Sequence, residues 1–117
     1  MDFQTQFDID IKNDVPVVRV AGSLDHINSS RFRSTISKLI EAGHKRIVVD
    51  MSAVDFMDSG GLSGVVYAIK RLSVIEGRLQ LAGLQPRTAR KFEVSGLTRL
   101  PSVLTFHPSA EEALELP

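Results

Sequence analysis

Residues 47–75, Ile-Val-Val-Asp-Met-Ser-Ala-Val-Asp-Phe-Met-Asp-Ser-Gly-Gly-Leu-Ser-Gly-Val-Val-Tyr-Ala-Ile-Lys-Arg-Leu-Ser-Val-Ile, switch from one hydrophobic period to another, and that switch decides the fold. Ile47, Val48 and Val49 form an uninterrupted β-branched run between Arg46 and Asp50, as expected of a short strand buried on both faces. From Leu62 onward the apolar residues Leu62, Val65, Val66, Ile69, Leu72 and Ile75 recur at helical spacing, with Lys70 and Arg71 off the stripe. Gly77 is the expected C-terminal cap. Asp58 and Ser59 therefore fall at a strand-to-helix turn. A hydroxyl there is well placed to carry a phosphate, because unpaired amides and the positive end of the helix dipole point toward it.

Toward the N-terminus, Phe3, Phe7, Ile9 and Ile11 mostly alternate with polar residues, Asn13-Asp14 marks a turn, and residues 17–21 resume an apolar strand, which predicts a hairpin. Asn28 reads as the N-cap of a first helix over residues 28–42. Ile27 and Phe32 would form its hydrophobic staple, and Phe32, Ile36, Leu39 and Ile40 its buried stripe up to Gly43. Toward the C-terminus, residues 79–84 read as a strand, 86–94 as a third helix opened by Pro86 and followed by Gly96, and 102–106 as a last short strand. Ser109 is expected to cap a final helix over 110–116, with Glu111 and Glu112 complementing its dipole.

A length of 117 residues and a hydrophobic fraction of 43% are enough for one domain, 1–117, to bury an ordinary core without metal or disulfide staples. The lack of cysteine excludes disulfides, thiol catalysis and thiolate metal sites. The start Met-Asp-Phe-Gln-Thr-Gln has neither a basic n-region nor an apolar h-region, and no apolar run approaches membrane-spanning length, so a cytoplasmic protein without membrane contact is expected. Lys plus Arg and Asp plus Glu balance at 14 each, and a single Tyr offers no stacking platform, which disfavours nucleic acid as a partner. Asp2, Asp8, Asp10, Asp14 and Asp25 make the first quarter acidic, and Arg87, Arg90, Lys91 and Arg99 make a later stretch basic; both read as solvated faces of ordinary elements.

The order hairpin, helix, strand, helix, strand, helix, strand, helix implies right-handed crossovers and a largely parallel sheet. Functional sites in such sheets collect at the carboxyl ends of strands, where the Asp58-Ser59 turn lies. The Gly22-Ser23-Leu24-Asp25-His26 turn opens toward the same edge if its strand lies beside the third, which would make Asp25 and Ser59 neighbours.

Several chemistries are disfavoured. Gly60-Gly61 has neither the G-x-G-x-x-G spacing nor a Gly-Lys-Ser/Thr, so no nucleotide cofactor is expected. Ser59 is no nucleophile elbow, since Met57 stands where a Gly is required, and His26, His44 and His107 lie near the ends of different elements. Asp50, Asp55 and Asp58 straddle a strand end at irregular spacing, and turn chemistry explains them, with Ser52, more simply than a metal site. Singly, Asp58 or Ser59 is most often just an N-cap.

Jointly, Gly22-Ser23-Leu24-Asp25 after a strand, Val49-Asp50-Met51-Ser52 and Phe56-Met57-Asp58-Ser59-Gly60-Gly61-Leu62 resemble the STAS family of bacterial anti-sigma-factor antagonists over nearly the whole chain. The resemblance implies an α/β fold with a mixed sheet of about five strands, an N-terminal hairpin followed by parallel strands, and about four helices. It implies a noncatalytic, cofactor-free switch, monomeric when free, with Ser59 as phosphoacceptor and Asp25, Asp58, Gly60, Gly61 and Leu62 on the partner surface. The implied partners are an anti-sigma factor that is itself a serine/threonine kinase and a metal-dependent Ser/Thr phosphatase. Gly60 departs from the Ser or Ala frequent in the family, which loosens the turn and leaves no alternative acceptor beside Ser59. The two glycines would let a kinase nucleotide phosphate or a partner backbone approach closely. The alternative is a scaffold or transport-accessory subunit on the same fold, in which Ser59 is only a helix cap.

Overall fold

The computed structural model describes residues 4–97 and 102–115. Its elements run β1 (Gln6–Lys12), β2 (Val15–Leu24), α1 (Ser29–Glu41), β3 (Arg46–Met57), α2 (Ser59–Val74), β4 (Arg78–Ala82), α3 (Pro86–Ser95), β5 (Leu104–His107) and α4 (Ala110–Glu115). The strands form one sheet in the order β1-β2-β3-β4-β5. β1 is antiparallel to β2, and β2, β3, β4 and β5 are parallel neighbours. The mixed α/β fold with five strands and four helices among the described residues is the one expected.

Asn13 and Asp14 close the hairpin with φ of 53° and 65°, both left-handed, in a two-residue loop between the paired Lys12 and Val15. Such loops match the twist of the strands, and Asn and Asp tolerate that backbone best after Gly. Because each parallel strand is added on the same side of the last, crossovers of one hand put α1, α2 and α3 on one face. There Phe32, Ile36, Val65, Leu72 and Phe92 pack with Val18, Val20, Ile47, Val49, Leu79 and Leu81 in the main core. The opposite face carries Val17, Val48 and Ala82 under Ala110 and Ala113 of α4. β3 is thus covered on both faces at residues 47–49, as its apolar run requires. Arg46 Nε donates to Gln80 Oε1 (2.6 Å) and Gln80 Nε2 to the Ala113 carbonyl (3.0 Å), fastening α4 to that face.

Four local expectations need correction. β3 runs on through Ser52 and Asp55 to Met57, where turn chemistry was expected. The αL residue after α2 is Glu76 (φ 57°), not Gly77; a Cβ on Gly77 would meet the Lys45 carbonyl oxygen at 2.4 Å. Asn28 precedes α1 but makes no side-chain cap bond, because its carboxamide turns back to Thr5 Oγ1 (2.8 Å) and the Ser23 carbonyl (2.9 Å). Ile27, 76% exposed, forms no staple. Gly96 does end α3 in the left-handed conformation (φ 81°), and Ser109 Oγ accepts the Glu112 amide (3.1 Å) at the start of α4. Phe3, Arg99 and Leu116 lie outside the described residues. Among those residues no helix is long and apolar enough to cross a membrane.

Candidate functional site

The two turns expected to meet are adjacent, since Leu24 pairs with Met57 at the carboxyl ends of β2 and β3. Asp58 is the N-cap of α2: its backbone is extended (φ −105°, ψ −172°) and its Oδ1 accepts the Gly61 amide at 3.0 Å. Ser59 follows as the first helical residue. It is exposed, and its hydroxyl makes no hydrogen bond among the described residues. The capping duty that would have occupied that oxygen belongs to the aspartate before it, so a role for Ser59 as the cap is not what the structure holds. The helix amides are also less available to an anion than expected, because Asp58 already takes one of them.

Asp25 organises its own turn. Its Oδ1 accepts the amides of Ile27 (3.0 Å) and Asn28 (3.1 Å), and its Oδ2 accepts the Ser23 hydroxyl (3.1 Å). It lines a hollow with Thr5, Asn28 and Arg31, apart from the groove that contains Ser59. The residue that joins the two turns is His26, for which the sequence offers no local signal of a partner. Its Nδ1 lies 3.0 Å from Asp58 Oδ2, and its amide donates to the same oxygen at 3.3 Å. The imidazole holds the Asp58 carboxylate down to about 2, helped by the Gly61 amide, and Asp58 in turn raises His26 above its ordinary value of 6.5.

The sign of the pH dependence follows from these two shifts. The contribution of the depressed carboxylate is present above 3.8 and lost as pH falls toward about 2. That of the raised imidazole is present below 6.5 and lost as pH climbs through its elevated value. Nuclear magnetic resonance titration of the His26 ring is expected to give an ionisation above 6.5 that drops in Asp58→Asn. An identical titration in both proteins would dissolve the pair.

Gly60 and Gly61 are required by the domain's own packing. A Cβ on Gly60 would lie 2.5 Å from His26 Cα, and one on Gly61 would lie 1.9 Å from the Leu24 carbonyl oxygen. α2 therefore starts pressed against the end of β2, with Gly61 buried. On the outer side, Ser59, Asp58 and Leu62 line a groove of about 550 Å³ whose far wall is α3, with Arg87, Arg90 and Lys91. By charge pattern alone those cations form a solvated face. Their i, i+3, i+4 spacing was the available signal that they share one side of a helix. No group of acidic, His or Cys side chains able to hold a metal is found among the described residues.

Ser59 thus presents an exposed hydroxyl, free of hydrogen bonds among the described residues, at a helix start on the carboxyl edge of a mixed α/β sheet. The chain belongs to the STAS domain family, whose model matches residues 6–113. It is 31% identical over 83 residues to an anti-sigma-B factor antagonist of Staphylococcus aureus, spanning 71% of this chain and 77% of that one. Its fold matches an anti-sigma factor antagonist from Mycobacterium paratuberculosis with a TM-score of 0.85 at 23% identity, over 98% and 95% of the two chains. It also matches the Bacillus cell fate determinant SpoIIAA in its phosphorylated form, with a TM-score of 0.74 at 26% identity, over 94% and 97%. STAS anti-sigma factor antagonists are noncatalytic regulatory proteins.

Proposed function

We propose that this chain is a cytoplasmic anti-sigma factor antagonist in a partner-switching cascade: unmodified, it binds an anti-sigma serine kinase, and phosphorylation of Ser59 releases it. The observation that carries this is the exposed Ser59 hydroxyl, free of hydrogen bonds among the described residues and set beside a capping aspartate. Further support comes from the relatives described as anti-sigma factor antagonists and from SpoIIAA, itself described as an anti-sigma factor antagonist and solved in a phosphorylated form. The partner surface would comprise Ser59, Asp58 and Leu62, with the Asp25-His26 turn at its margin. In the transfer, Ser59 Oγ attacks the γ-phosphorus of ATP, the O–P bond to ADP breaks, and the hydroxyl proton leaves with a base or to water. The product carries roughly −1.5 to −2 charge at neutral pH where an uncharged group stood. A partner fitted over Asp58 then meets added like charge and bulk that must be desolvated. A metal-dependent phosphatase would restore the hydroxyl.

Mass spectrometry of the protein incubated with ATP and the kinase encoded beside its gene is the test. One phosphate on Ser59 is expected, and none, or a phosphate elsewhere, counts against the assignment.

A further inference from the structure

Arg87, Arg90 and Lys91 of α3 line the groove that holds Ser59, and none has a salt-bridging carboxylate among the described residues. Arg87 and Arg90 are exposed, and the Lys91 ammonium sits 5.4 Å from the centroid of the Phe56 ring, which holds it near the end of β3. Positive side chains three and four residues apart on one helix face repel one another. Arg87 adds a second cost, because it stands in the first turn of α3, which has no acidic residue and where the dipole disfavours a cation. An anion placed in the groove relieves both.

Resting on Ser59 as the phosphoacceptor, we propose that the phosphate it receives is captured within the molecule by Arg87 and Arg90, with Lys91 beside them, so that the α2–α3 groove is a receptor for the chain's own phosphoserine. The guanidinium fork matches phosphate oxygens two at a time, which a helix terminus whose Gly61 amide is already taken by Asp58 does not replace. Phosphorylation then does more than add charge. It also neutralises the basic wall of the groove beside the proposed partner surface.

The experiment uses the full chain with phosphoserine installed at position 59 by genetic-code expansion, without any kinase. The groups around the phosphate are Asp58 on its own turn, His26 and Asp25 on the neighbouring turn, and the three cations of α3. Asp58 favours the singly charged phosphate and the cations favour the dianion. Phosphorus resonance titration is expected to place the second ionisation about half a pH unit or more below its ordinary value near 6. R87A/R90A should raise it, and R87K/R90K should restore part of the depression. In the phosphorylated wild type, the Arg87 and Arg90 Nε–Hε resonances should move as the phosphate ionises. An ionisation unchanged in R87A/R90A, or guanidinium resonances indifferent to the phosphate, overturns the capture. Because no kinase enters the assay, that failure is separate from a failure of Ser59 to be phosphorylated enzymatically.

Discussion

Gly61→Ala is expected to be the most damaging single methyl group in the molecule, lowering stability by about 3 kcal/mol or more. Gly61 is helical with no special φ, so the cost is purely one of space. Its Cβ would fall 1.9 Å from the Leu24 carbonyl oxygen, 2.7 Å from the carbon bonded to it and 2.9 Å from Met57 Cγ. Met57 can bend away, but Leu24 is fixed by its pairing with Met57 at the end of β2. Relief therefore requires α2 to lift off the sheet, which exposes Val65, Leu72 and the residues beneath them. Gly96→Ala is the informative companion, since it has a left-handed φ of 81° and nothing within 4 Å of the new methyl. That change should cost only about 1 kcal/mol, from backbone preference alone. Urea denaturation of both variants checks the pair, and equal midpoints would mean that the start of α2 yields easily.

Ser59→Ala is expected to abolish phosphorylation while leaving stability within about 0.5 kcal/mol of the parent and partner binding intact. The small structural cost follows from the cap being Asp58, so deleting the Ser59 oxygen orphans no amide. Phosphate incorporation and calorimetric binding to the kinase measure the two halves of this expectation. Stoichiometric phosphorylation of the alanine variant would remove Ser59 from the scheme. Loss of binding in the unmodified variant would show that the hydroxyl is itself a contact. Ser59→Asp should weaken binding less than phosphate does, because one carboxylate carries less charge and fewer oxygens.

Much of this was legible in the sequence because it is local. The run at residues 47–49 and the stripe from Val65 to Leu72 announce themselves by period, and Asn13-Asp14 by backbone tolerance. What escaped depends on partners distant in the chain. Beyond Asp50, β3 pairs with β2 but no longer with β4, so Ser52, Asp55 and Phe56 are exposed and the apolar pattern of a central strand dissolves. Asp58 and Ser59 are equally good caps by composition, and only the point where the strand stops assigns the duty. His26 meets Asp58 across 32 residues through the register of β2 on β3, which no local spacing reveals. Asn28 has the composition of a cap, yet Thr5 and the Ser23 carbonyl compete for its carboxamide.

The same uneven pairing of β3 has a mechanical meaning. β4 stops at Ala82 opposite Asp50, whereas β2 and β3 continue together through Ala53, Val54 and Phe56 to the Leu24–Met57 pair. Past the Ala21–Ala53 pair, where β1 also ends, the Ser59 hydroxyl is carried beyond the rim of the sheet on β2 and β3 alone. A partner that engages Ser59, as proposed above, would therefore meet the ends of β2 and β3 and the wall of α3, and not the edges of β4 or β5.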